Sequence, residues 1–206
     1  MKDTLGFIHK FVAGTSARTL LLLHGTGGDE ENLIVLGQAL DPAANLLSPR
    51  GKVLENGQVR FFRRFAEGVF DLEDLRIRTD ELAQFVTDAA VHYQLDPAKI
   101  VGVGYSNGAT ICGSLVLQRP ELLRRATLLR GMVPFAPAVL PDLRSVAVWI
   151  SAGKEDTIIP PAESARLAEL LRQCGAEVAL EYIEADHAPT LMDVAAAKRW
   201  LAAHRD

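Results

Sequence analysis

The residues best suited to chemistry gather at Gly104-Tyr105-Ser106-Asn107-Gly108. This G-x-S-x-G follows the apolar run Ile100-Val101-Gly102-Val103 and opens a helical pattern at Ala109-Thr110-Ile111. Between a strand and a helix, such a pattern forces the serine into a sharp turn and lifts its hydroxyl clear of the sheet. The flanking glycines are required because a Cβ at either place would collide with the adjoining strand and helix. Partial positive charge at the helix N-terminus favours an oxyanion developing beside the serine. A serine hydroxyl is a poor nucleophile until a base takes its proton. Of the five histidines, His9 falls in a strand, His92 on a helix and His204 near the C-terminus, while His24 ends a strand before a glycine-rich loop. His187 follows the last strand across Glu184-Ala185-Asp186 and precedes the final helix. From there a short loop can carry its imidazole to Ser106, so His187 is the expected base. It must be neutral to act as a base.

A carboxylate must hold that imidazole in one tautomer and stabilise its charge. Asp156 follows a glycine turn after the strand Val146–Ser151 and precedes a proline-started helix, which suits the role. Glu155 is its serious rival. Asp186 adjoins His187 and should diverge from it, and Asp142 lies at the wrong end of its strand. Acyl transfer also needs donors where the carbonyl oxygen becomes negative. The backbone N–H of Asn107 should be one, and the loop His24-Gly25-Thr26-Gly27-Gly28-Asp29 should supply the other, best from Thr26. Such a loop can also bind phosphate, but Asp29, Glu30 and Glu31 would repel it.

The elements that must position these groups alternate along the chain. Strands are expected at Gly6–Val12, Thr19–Leu23, Asn45–Ser48, Ile100–Gly104, Ala126–Leu129, Val146–Ser151 and Val178–Ile183. Helices are expected at Asp29–Leu40, Thr79–Leu95, Asn107–Gln118, Pro161–Cys174 and Thr190–His204. This alternation implies crossover units: an α/β fold with a mostly parallel central sheet and helices on both faces. At 206 residues with 49% hydrophobic content, one domain over 1–206 is expected, with no separate lid domain. Twenty-two basic against 26 acidic residues give a net charge of −4, which argues against nucleic acid. No apolar run approaches the roughly 18 residues of a membrane span, and Met1–Gly6 lacks a signal-peptide pattern. Two cysteines, Cys112 and Cys174, in no metal-ligand spacing fit buried thiols in the cytoplasm. Gly102, Gly104 and Gly108 miss the dinucleotide spacing by one residue, so neither a cofactor nor a metal is expected.

Four stretches together resemble the phospholipase/carboxylesterase family of α/β-hydrolases. They are Leu23–Gly28, Gly104–Ala109, Gly153–Asp156 with Pro160-Pro161, and Asp186-His187. The chain order Ser106, Asp156, His187 is the order of that fold. The family includes acyl-protein thioesterases, bacterial carboxylesterases and dienelactone-hydrolase-like relatives. The resemblance implies a cofactor-free ester or thioester hydrolase with an acyl-enzyme at Ser106, and it supports backbone donors at Thr26 and Asn107. Phe61-Phe62-Arg63-Arg64-Phe65 looks like the bacterial carboxylesterase branch. Asn107-Gly108-Ala109 stands where thioesterases typically carry Gln-Gly-Gly, and Thr26 where they typically carry Leu. Small esters are favoured accordingly. An acyl-protein thioesterase or lysophospholipase-like hydrolase is the alternative, with a non-catalytic binding protein of the same fold as a third reading. A small-molecule ester is the expected partner, and self-association as a homodimer is allowed.

Two long stretches, Pro49–Asp71 and Gly131–Leu143, escape the alternation and should be functional or hold small elements of their own. The first contains Phe61, Phe62, Phe65 and Phe70, four of eight phenylalanines, together with Arg60, Arg63 and Arg64. Either these rings fill core, or they form an apolar lip over Ser106 with arginines at its rim. Phe61, Phe62 and Phe65, with Met132 from the second stretch, are the expected substrate-binding residues. Such a lip would suit acetyl to hexanoyl esters.

Overall fold

The computed structural model describes residues 5–204; Met1–Thr4, part of the segment without a signal-peptide pattern, lie outside them. In chain order the elements are β1 (His9–Val12), β2 (Thr19–Leu23), α1 (Ile34–Leu40), β3 (Asn45–Pro49), β4 (Val53–Glu55), β5 (Gln58–Arg60), β6 (Arg64–Ala66) and β7 (Val69–Phe70). There follow α2 (Leu72–His92), β8 (Ile100–Tyr105), α3 (Asn107–Gln118), β9 (Arg125–Leu129), β10 (Ala147–Gly153), α4 (Pro161–Gln173), β11 (Glu177–Ile183) and α5 (Leu191–Ala203). Seven strands form one sheet in the order β1-β3-β2-β8-β9-β10-β11, with β1 antiparallel to β3 and the other neighbours parallel.

The leucine run of β2 explains how the layers form. Successive strand side chains point to opposite faces. Leu21 and Leu23 enter the core under α2, α3 and α4, whereas Leu20 and Leu22 enter the core under α1 and α5. Every residue of β2 is buried, as a strand covered on both faces requires. The strand order turns back between β2 and β8, where Leu23 lies beside Gly104. Ligands in open parallel sheets bind beyond the carboxyl ends of strands at such a switch point. The serine turn after β8 and the glycine loop after β2 therefore lie side by side.

Two helices begin away from their expected starts. α1 begins at Ile34, not Asp29, because side chains capture the backbone ahead of it. The Asn32 amide oxygen accepts the Asp29 N–H at 2.5 Å, and the Asp29 carboxylate accepts the Glu31 N–H at 2.9 Å. Such local bonds compete with helix formation. α2 begins seven residues before Thr79, capped by Asp71, whose carboxylate accepts the Asp74 N–H at 3.1 Å. Its first turns are largely charged, which hid them from the apolar periodicity. The stretch ahead of α2 folds as two hairpins, β4–β5 and β6–β7. The first turns on Asn56-Gly57, both at positive φ (51° and 78°), the pairing that favours a two-residue hairpin turn.

Candidate active site

Ser106 sits between β8 and α3 with φ 54° and ψ −114°, a conformation that side-chain-bearing residues rarely adopt. The turn is closed on all sides. A Cβ on Gly104 would lie 2.6 Å from the Ala109 Cα, and one on Gly108 would lie 1.9 Å from the Leu23 carbonyl oxygen. The Ser106 N–H donates to the Leu129 carbonyl at 2.9 Å, and its own carbonyl accepts the Thr110 N–H at 3.0 Å to start the helix. Strain of this kind persists only where surrounding structure over-determines it.

The structure brings Ser106, His187 and Asp156 together from three loops. His187 Nε2 lies 3.0 Å from Ser106 Oγ, and His187 Nδ1 lies 2.8 Å from Asp156 Oδ2. The Asp156 carboxylate is fully buried, and its Oδ1 accepts the N–H groups of Ile158 and Ile159 at 2.9 and 2.8 Å. Those two bonds leave Oδ2 aimed at the imidazole. Of the rival carboxylates, Glu155 is exposed. Asp186 accepts the Ala188 N–H at 2.8 Å, and exposed Asp142 pairs with Arg144.

The β2–α1 loop lies alongside. Thr26 and Asn107 both line the cavity that holds Ser106. No hydrogen bond among the described residues takes up the Thr26 N–H, and the Asn107 N–H, first in α3, has no partner within its helix. His24 is buried and structural. Its Nε2 accepts the Gly51 N–H at 2.9 Å, so Nδ1 carries the proton and donates to the Gly25 carbonyl at 2.7 Å. Burial lowers its pKa and keeps it neutral. The hairpin stretch is stitched to this loop again where the Gly27 N–H donates to the Val59 carbonyl at 2.8 Å. A further stitch joins it to the serine turn, where the Phe61 N–H donates to Asn107 Oδ1 at 2.8 Å.

The cavity over Ser106 measures about 580 Å³ and is lined by Phe62, Phe70 and Met132 among others. The expected lip is corrected in two places. Phe61 is buried away from the cavity, its ring 4.6 Å from the His24 ring, and packs in the core. Phe65 is 76% exposed and faces solvent. Phe62, itself fully buried, forms the cavity floor edge-on to Phe70, with ring centres 5.0 Å apart. Phe70 stands apart from the Phe61–Phe65 run, and its sequence spacing does not mark it as a lining residue.

Sequence reasoning also missed Arg130. It follows β9 at φ 56°, is fully buried, and uses all five N–H groups. Two pair with the buried Asp193 carboxylate at 2.7 and 3.1 Å, and one reaches Ser151 Oγ at 2.6 Å. The others donate to the carbonyls of Asp186 and Ala188, at 3.1 and 3.3 Å, on either side of His187. Burial opposes charge on Asp193, but hydrogen bonds from Arg130 and the Thr190 N–H outweigh it and hold its pKa low. The only trace in the sequence is a charged residue placed directly after the buried end of a strand, Leu128-Leu129.

Fold and site together define the class, an α/β-hydrolase. The Phospholipase/Carboxylesterase family model matches residues 67–205. The chain is 44% identical over 192 residues to the Bacillus subtilis (strain 168) protein named "Putative hydrolase MhqD", covering 93% of this chain and 96% of that protein. The crystal structure of the Bacillus cereus carboxylesterase superposes with a TM-score of 0.93 at 44% identity, covering 96% of this chain and 94% of that one. A carboxylesterase from Mesorhizobium loti superposes with a TM-score of 0.93 at 32% identity, over 98% of this chain and 97% of that one. The chain belongs to the phospholipase/carboxylesterase family.

Arg130→Met should lower unfolding free energy by about 3–5 kcal/mol, because it strands a buried carboxylate. Adding Asp193→Leu should recover most of that loss in chemical denaturation. Hydrolytic rate should stay low in the double variant, since the carbonyls flanking His187 still lack their donors. Equal recovery of rate and stability would show that Arg130 is a core ion pair and nothing more.

Proposed function

We propose that this chain is a serine carboxylesterase that hydrolyses small to medium acyl esters through an acyl-enzyme on Ser106. One observation carries the proposal: the relay from Ser106 Oγ through His187 to Asp156, at 3.0 and 2.8 Å, opens on a cavity with both apolar and charged lining residues. As Oγ attacks the ester carbonyl, His187 Nε2 takes its proton, and Asp156 steadies the resulting imidazolium. The carbonyl oxygen becomes an oxyanion facing the N–H groups of Thr26 and Asn107. Collapse breaks the ester C–O bond, and His187 returns the proton to the departing alcohol. A water then gives its proton to His187 and attacks the acyl-enzyme. Breakdown of that second intermediate releases the acid and restores the Ser106 hydroxyl. The strained Ser106 backbone favours a catalyst over a non-catalytic binding protein, which has no use for a strained serine facing a cavity.

The apolar wall of Phe62, Phe70 and Met132 would receive the acyl chain, each buried methylene adding about 0.8 kcal/mol until the space is filled. No helix among the described residues is long and apolar enough to cross a membrane. Both cysteines are free and buried, with the Cys112 thiol pushed up to about 12 by burial. Such inert thiols suit a reducing cytoplasm. The test is labelling with a fluorophosphonate probe. The adduct should map to Ser106, and prior incubation with a nitrophenyl ester should slow its formation. A protein that cleaves such esters with Ser106 unlabelled would overturn the proposal.

A further inference from the structure

The cavity contains a cation whose charge ester hydrolysis as described does not use. Arg60, at the end of β5, lines the cavity with Ser106 and Thr26 while its residue exposure is only 3%. Its Nη1 donates to Thr26 Oγ1 at 2.6 Å and its Nε to the Phe62 carbonyl at 3.3 Å. No hydrogen bond among the described residues engages Nη2. The cavity's other arginines have close counter-charges: Arg64 pairs with Glu55 at 2.8 Å and Arg166 with Glu163 at 3.1 Å. The nearest carboxylate of Arg60 is Glu55 at 3.7 Å, already committed to Arg64. Burial, and then the charge of Arg64, lower the pKa of Arg60, while Glu55 and the cavity-lining Glu67 pull it the other way. Arginine remains protonated in proteins nonetheless. Asn107, on the same cavity, keeps a buried Nδ2 without a partner among the described residues. A buried, under-compensated guanidinium costs stability that an apolar side chain of similar volume would not. Supporting the Thr26 hydroxyl needs only one of its donors.

We propose that Arg60 forms an anion subsite, and that the preferred substrates are esters carrying a carboxylate on their acyl or alcohol part. The inference rests on the serine-esterase reading and deepens it. A substrate carboxylate would meet the uncommitted guanidinium N–H groups in a charge-assisted pair while its ester carbonyl lies at Ser106. Glu55 competes for the same cation and sets how strongly it binds.

Two matched pairs test this, each exchanging a carboxylate for an isopropyl group of similar shape. Monomethyl succinate is set against methyl 4-methylpentanoate, and 3-acetoxypropanoate against 3-methylbutyl acetate. In at least one pair the wild-type enzyme should favour the carboxylate ester in kcat/KM, more so at low salt. Arg60→Met should lower kcat/KM for that ester about 10- to 100-fold more than for its neutral partner. Glu55→Gln should raise the charged-to-neutral ratio. A preference for the neutral ester in both pairs would overturn the proposal. So would an equal loss on both members in Arg60→Met, which would make Arg60 a support for Thr26 alone. If Arg60→Met does not fold, the wild-type ratios and Glu55→Gln decide the question. Ser106-dependent cleavage of neutral esters without charge preference removes the subsite and leaves the esterase reading standing. Failure to cleave any of the four removes both.

Discussion

Ser106→Ala should lose ester hydrolysis by about 10⁶-fold in kcat while the protein remains folded. The substitution deletes the one atom 3.0 Å from His187 Nε2 and leaves the backbone donors of Thr26 and Asn107 in place. Residual rate would come from those donors and from binding alone. A purified alanine variant retaining a tenth of the activity would remove Ser106 as nucleophile. Stability provides an independent check on the turn. At φ 54° and ψ −114° a Cβ is strained whether it belongs to serine or alanine, and glycine escapes that strain. Ser106→Gly should be as inactive as Ser106→Ala, yet more stable by about 1 kcal/mol in chemical denaturation. Equal stability of the two would mean that the turn stores no strain.

Asp156→Asn should lower kcat by about 10⁴-fold, and the neighbouring Glu155→Gln should stay within about twofold of wild type. The asymmetry follows from the bonds Asp156 makes. Its Oδ1 accepts two backbone N–H groups, from Ile158 and Ile159, so an asparagine would place its carbonyl oxygen there. Its NH₂ would then face His187 Nδ1 and donate to it. The ring proton would move to Nε2, and the imidazole could no longer accept the Ser106 proton. Glu155 is exposed and makes no such contact. If the larger loss fell on Glu155→Gln, the orienting carboxylate would be reassigned.

Much of this was legible because the relevant signals are local. β2 is encoded in five consecutive residues, Thr19–Leu23, and the serine turn in five more, with α3 following immediately. The loops bearing Asp156 and His187 could be placed at strand ends because strands and helices alternate so regularly. Legibility failed where a residue's role depends on partners distant in sequence. Arg130 looks like an ordinary polar residue after a strand, and only folding brings it to Asp193, 63 positions away. Phe61 and Phe65 are four residues apart in one aromatic run, yet one packs in the core and the other faces solvent. The hairpins between them and the sheet set that difference, and composition does not encode it. The late start of α1 and early start of α2 fail for a related reason: Asx bonds and a charged first turn do not register as apolar periodicity.

The stitches between the hairpin segment and the serine turn have an evolutionary corollary. Residues 50–71 look like an exchangeable cassette that could be swapped to retune substrate choice while the chemistry stayed intact. Yet the same segment grips Asn107 through the Phe61 N–H and Thr26 through Arg60. These are the two residues whose backbone N–H groups would receive the oxyanion. If they do, remodelling that shifts this segment would disturb both donors at once. Selectivity and turnover would then be mechanically geared together, and new substrate preferences should arise by single side-chain changes around the rim sooner than by loop replacement.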